Sequence, residues 1–199
     1  MIKAAIVHGT LGSPVGNWFP WLAGELNVLG VRTIVPAMPT PENQSLINWR
    51  AAFLEQVGEL DESSILIGHS VGALFLLRLL ERMEQRIACT VLVAPLIGDI
   101  GNPTYDKLNS SFLIGAGFNW QNVRSKGGSI HIFCGENDPY VPLIQPLEVA
   151  KQLEINPNII KNGGHLNSEA GFNSFELLLE HLYLLPEIVA EKRSFRQQV

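Results

Sequence analysis

The sequence predicts an α/β protein, with about six mainly parallel strands in one sheet and helices on both faces. Two observations carry this reading. Short apolar, β-branched runs alternate with longer segments of helical period, the pattern of a parallel sheet buried on both sides. The most buried-looking run, Ser64-Ile-Leu-Ile, passes through Gly68-His69-Ser70-Val71-Gly72 straight into an apolar helix. The 199 residues fit one domain spanning 1–199, and no insertion is large enough for a separate cap domain.

The predicted strands are Lys3–Val7, Val31–Val35, Ser64–Ile67, Cys89–Val93, Ile130–Cys134 and a short Asn158–Ile160. Between them, Trp18, Trp21, Leu22, Leu26 and Leu29 share a helical face, with Pro20 tolerable in a first turn. Ser45 is positioned to cap a helix carrying Leu46, Trp49, Phe53 and Val57. Val71–Arg82 and Leu143–Leu153 read as helices, and Asn173–Arg193 as a last one kinked or split at Pro186. The segment from Ile97 to Gly128 is too long for an ordinary crossover. Its Phe112, Leu113, Phe118 and Trp120 suit a lid or pocket wall, and equally a helix packed on the sheet.

Composition narrows the function. With 46 % hydrophobic and 17 % charged residues the chain can pack a core, and a net charge of −5 offers no footprint for nucleic acid. The one dense basic stretch, Lys192-Arg193 with Arg196, reads as a solvated helix end. No segment has the length and apolarity of a signal peptide or a membrane span. Cys89 and Cys134 sit in strand-like runs, so the chain reads as reduced, intracellular and cytoplasmic.

The chemistry centres on Gly68-x-Ser70-x-Gly72. A serine on a strained strand-to-helix turn is lifted above the sheet, and glycines flank it because strand and helix nearly touch there. Its hydroxyl needs a base, so an acid and a histidine should follow later strands. Asp138 lies in Gly135-Glu136-Asn137-Asp138-Pro139-Tyr140-Val141-Pro142, and His165 in Asn162-Gly163-Gly164-His165. Both fall in loops where strands end, the side on which open sheets assemble sites. Glu136 and Asp99 are rival acids. His8 and His69 are rival bases, although the elbow should turn His69 away from the hydroxyl. His131 and His181 read as structural. In His8-Gly9-Thr10-Leu11-Gly12, the Thr10 N–H, or that of Leu11, would bind an oxyanion together with the Val71 N–H. The glycine spacing excludes a phosphate loop, and no cluster has metal-ligand spacing. No cofactor is expected.

These motifs together resemble a small α/β-hydrolase, and more narrowly the compact serine hydrolases related to retinoblastoma-binding protein nine. Met38-Pro39, Asn119-Trp120 and Gly164-His165-x-Asn167 are similar too, while the loop at 8–12 looks more like the general hydrolase His-Gly loop. The resemblance implies a nearly lidless hydrolase with Ser70, Asp138 and His165 as triad, and strand order 2-1-3-4-5-6. The expected activity is cleavage of a small ester-like substrate through an acyl-enzyme. A thioesterase, amidase or peptidase could use the same triad, and a protein-binding module could carry it unused, which leaves a protein partner open. The pocket is expected to be small to medium, walled by the first loop with Trp18 and by Phe112, Leu113, Phe118 or Trp120.

Overall fold

The computed structural model describes residues 2–115 and 117–190. Six strands form one sheet: β1 (Lys3–Val7), β2 (Arg32–Ile34), β3 (Ile65–His69), β4 (Cys89–Val93), β5 (Ser129–Gly135) and β6 (Asn158–Ile160). Their spatial order is β2-β1-β3-β4-β5-β6, as the resemblance implies, and every adjacent pair is parallel. Alternation along the strands divides the core in two. In β1, Ala4 and Ile6 point to one face and Ala5 and Val7 to the other; in β3, Ile65 and Ile67 oppose Leu66.

Two helices cover the first face. α1 (Phe19–Val28) packs Phe19, Leu22 and Leu26 there, and α7 (Glu176–Tyr183) packs Leu178 and Leu182. The opposite face is covered by α2 (Leu46–Val57), α3 (Val71–Leu80), α5 (Trp120–Lys126) and α6 (Ile144–Leu153). Ser45 caps α2, its side chain accepting the Asn48 N–H, and the Trp49, Phe53 and Val57 stripe faces the core. The last helix is split. α7 ends at Tyr183, and a separate helical stretch starts at Pro186, whose ring cannot continue a helix. The expected helix end and the basic stretch around Lys192 lie outside the described residues.

The long segment after β4 folds neither as a free lid nor as one helix. It makes α4 (Pro103–Asn109), a single 3-10 turn (Ser110–Phe112) and α5. Asn102 caps α4, accepting from the Thr104 and Tyr105 N–H groups, and Pro103 occupies its first turn. Buried Arg78 of α3 holds the next stretch. Its guanidinium donates to the carbonyls of Phe112 (2.7 Å) and Gly117 (2.9 Å), pairs with Glu81 at 3.2 Å and lies 3.9 Å from the Phe118 ring centroid.

The strand order reverses at β1, whose two neighbours continue the chain in opposite directions. A crevice forms beyond the carboxyl ends of strands at such a point. The loops after β1 and β3 meet there, bringing Gly9 against Ser70: a Cβ on Gly9 would stand 2.9 Å from that of Ser70.

Candidate active site

Ser70 follows β3 directly with φ 57° and ψ −122°, a conformation that side chains rarely adopt, and its N–H donates to Val93 (2.8 Å). The neighbouring glycines are required by contact. A Cβ on Gly68 would come within 2.6 Å of the Gly72 carbonyl oxygen, and one on Gly72 would collide with the Val7 carbonyl oxygen. The turn therefore places strand, helix and β1 in near backbone contact, with the serine at the amino end of α3.

His165 follows β6. Its Nδ1 donates to Asp138 Oδ2 at 2.7 Å, and both side chains are almost wholly buried. Asp138 Oδ1 accepts the N–H groups of Tyr140 (2.8 Å) and Val141 (3.0 Å), so each carboxylate oxygen has a fixed partner. Because a carboxylate only accepts, this bond places the His165 proton on Nδ1 and leaves Nε2 as an acceptor. The two rival acids are exposed: among the described residues the Glu136 side chain makes no hydrogen bond, and Asp99 contributes only its carbonyl, to Gln145 (2.8 Å).

The rival bases are occupied elsewhere. His8 Nε2 accepts the Met38 N–H (3.1 Å), which makes Nδ1 the donor to the Gly9 carbonyl (2.8 Å). His69 turns into the core between Trp18 and Phe19, and its Nε2 donates to the His165 carbonyl (2.9 Å). Burial lowers the pKa of His8 and pushes that of His69 down to about 3, so both rings are neutral. His131 and His181 meet edge to face at 5.6 Å on the α7 side. Burial also raises both free thiols, Cys134 to about 11, so neither is a thiolate at neutral pH.

A cavity of about 290 Å³ opens at the crevice, lined by Thr10, Leu11, Ser70, Val71, Tyr140 and His165 among others. Its remaining walls correct one expectation. Trp18 is fully buried and does not line it; its indole donates to the Leu166 carbonyl (2.9 Å) and so supports the histidine loop from beneath. Phe112 is buried against Trp49, Leu113 packs against the core, and Phe118, with Trp120 against it, lies over Arg78. The wall comes instead from Leu96, and from Ile100, Tyr105 and Asn109 in and just before α4. The same long segment thus builds the pocket, but with its earlier residues.

Several contributors carried no sequence signal. Asn137 Oδ1 accepts the Gly164 N–H (2.9 Å), tying the acid loop to the histidine loop. Behind Thr10 lies a buried amide, Asn109, whose Oδ1 accepts from Thr10 Oγ1 (2.6 Å) and Gln44 Nε2 (2.9 Å). Thr40 Oγ1 donates to Gln44 Oε1 (2.6 Å) and accepts the Leu11 N–H (2.8 Å). Apart from Thr40 and Gln44, four residues apart, these partners are remote in sequence, so no local spacing announces them. Among the described residues no group of three or more His, Cys, Asp or Glu could hold a metal ion, and no helix is long and apolar enough to cross a membrane.

The profile of the serine hydrolase family matches residues 4–184. The chain belongs to that family. It is 27 % identical over 179 residues to YdeN of Bacillus subtilis (strain 168), covering 89 % of this chain and 92 % of YdeN. It is also 27 % identical over 169 residues to the serine hydrolase RBBP9 of Rattus norvegicus, covering 83 % of this chain and 88 % of RBBP9. The crystal structure of the B. subtilis ydeN gene product superposes with a TM-score of 0.83 at 26 % identity, over 92 % of this chain and 97 % of that one. Est1E of Butyrivibrio proteoclasticus, at 16 % identity and a TM-score of 0.67, covers all of this chain and 89 % of its own, and shares the fold. This serine hydrolase therefore has a compact α/β-hydrolase fold without a separate cap.

Proposed function

We propose that the protein hydrolyses small ester-like substrates through an acyl-enzyme, with Ser70 as nucleophile, His165 as base and Asp138 as the group that orients it. The observation that carries this reading is the 2.7 Å bond from His165 Nδ1 to buried Asp138, with His165 lining the same cavity as Ser70 on its strained turn. That bond keeps Nε2 free to accept the serine proton as the hydroxyl attacks the carbonyl carbon, and Asp138 stabilises the imidazolium that forms. The proton then passes to the leaving oxygen, and water releases the acyl group by the same route, with no cofactor. The oxyanion is bound by the Val71 N–H, at the start of α3, and by the Thr10 N–H, a contribution of about 3 kcal/mol per donor in well-studied cases. Thr10 is favoured over Leu11 because the Leu11 N–H already donates to Thr40. Two free, buried thiols accord with a cytoplasmic setting, and the cavity with a small-molecule substrate.

A cavity of about 290 Å³ holds a short acyl group better than a long one. Methylenes that stay in water forfeit the about 0.8 kcal/mol that each buried one contributes. Measured from acetyl to palmitoyl esters, kcat/KM should be at least as high for the short chains, and Ser70→Ala should abolish turnover of all of them. A steady rise beyond octanoyl, or wild-type turnover in the variant, would refute the reading.

A further inference from the structure

Among the described residues that line the cavity, Glu169 is the side chain with a fixed charge at neutral pH, and no lysine or arginine lies with it. Its carboxylate is held in place. Tyr140 Oη donates to Oε2 at 2.6 Å and Asn167 Nδ2 to the same oxygen at 3.4 Å. Oε1 has no partner among the described residues, and the side chain is exposed at the rim. These hydrogen bonds, the tyrosine's first, hold the Glu169 carboxyl below its ordinary range and keep it anionic. The Tyr140 ring stands edge-on to His165, with centroids 5.1 Å apart, and to Tyr105 at 6.3 Å. A carboxylate with one unfilled oxygen beside two tyrosine rings is the chemistry that receives an alkylammonium ion, through charge and through the ring faces.

The position of this group fixes which part of a substrate it meets. In acyl transfer the histidine gives its proton to the leaving oxygen, so that oxygen lies at His165. Tyr140 and Glu169 flank the same imidazole and therefore face the alcohol portion. We propose that the cavity selects esters whose alcohol carries a short alkylammonium group, with Glu169 as the residue that discriminates. This rests on the esterase reading above and goes beyond it by naming the substrate class. An anionic alcohol portion would meet the same carboxylate and be rejected.

Acetylcholine and 3,3-dimethylbutyl acetate have the same shape and differ in charge. At low ionic strength kcat/KM should favour acetylcholine about 3- to 10-fold in the wild type. In Glu169→Gln that ratio should fall to about one, whatever the absolute rates. Equal values in the wild type, or a preference that survives the substitution, would overturn the proposal while leaving the esterase reading intact. If neither ester is turned over, the esterase reading fails, and calorimetric binding of the same pair to Ser70→Ala decides this one: a Glu169-dependent preference for the cation supports it and equal affinity refutes it.

Discussion

Asp138 receives two backbone N–H groups on one oxygen and the His165 imidazole on the other. An asparagine there can satisfy the backbone donors with its carbonyl, which turns its NH₂ toward His165 Nδ1. The ring must then accept at Nδ1 and carry its proton on Nε2, where it cannot take a proton from Ser70. Asp138→Asn should therefore lower kcat by about three to four orders of magnitude with little loss of stability, as in triads where this tautomer is lost. Glu136→Gln, at an exposed side chain outside the cavity lining, should change kcat by less than about twofold. Ester hydrolysis by both variants checks this, and the reverse pattern would reassign the acid. The triad candidates were legible because each sits at a strand end in a motif whose spacing reflects a steric demand. Asn137, Asn109 and Glu169 were not, because an amide or carboxylate acquires its role only from a partner that folding brings near.

Strands are the elements the sequence announced most clearly. Parallel strands buried on both faces read as near-continuous apolar runs, and 4–7, 65–67 and 91–93 do. The helices expected over Val71–Arg82 and Leu143–Leu153 each moved by a residue or two at one end, and the last one starts three residues late at Glu176. Capping competes with packing at such ends. The segment from Ile97 to Gly128 was the least legible, and Arg78 shows why. Its place in an otherwise apolar helix gives no hint that it binds two carbonyls 34 and 39 residues away. Arg78→Ala should leave those carbonyls and the Glu81 carboxylate without their buried cation. A loss of about 3 kcal/mol in urea unfolding is expected, the usual cost of breaking a buried pair from one side. A loss below about 1 kcal/mol would mean that the segment is held by its aromatic residues instead.

For the molecule as a whole, buried and half-buried histidines should set the acid limit. Burial lowers the pKa of His8, His69 and His131, with His69 down to about 3. Above about pH 6.5 these rings are neutral in both folded and unfolded chains. Below it the unfolded chain binds protons that the fold refuses, so stability falls with pH, and for His69 the fall continues to about 3. By pH 5 His69 alone should have cost about 2 kcal/mol. The urea midpoint should drop between pH 7 and pH 5, whereas an unchanged midpoint would show that these rings protonate without unfolding.

The proposed reading stands or falls on whether the reversal of strand order at β1 assembles a working nucleophile at Ser70. A fluorophosphonate reacts with a serine only when a base and an oxyanion site activate it. Peptide mapping by mass spectrometry after such labelling should find the adduct on Ser70, no adduct in Ser70→Ala, and strongly slowed labelling in Asp138→Asn. A folded wild-type protein that stays unlabelled, or that carries the adduct on another residue, would rule out Ser70 as the activated nucleophile.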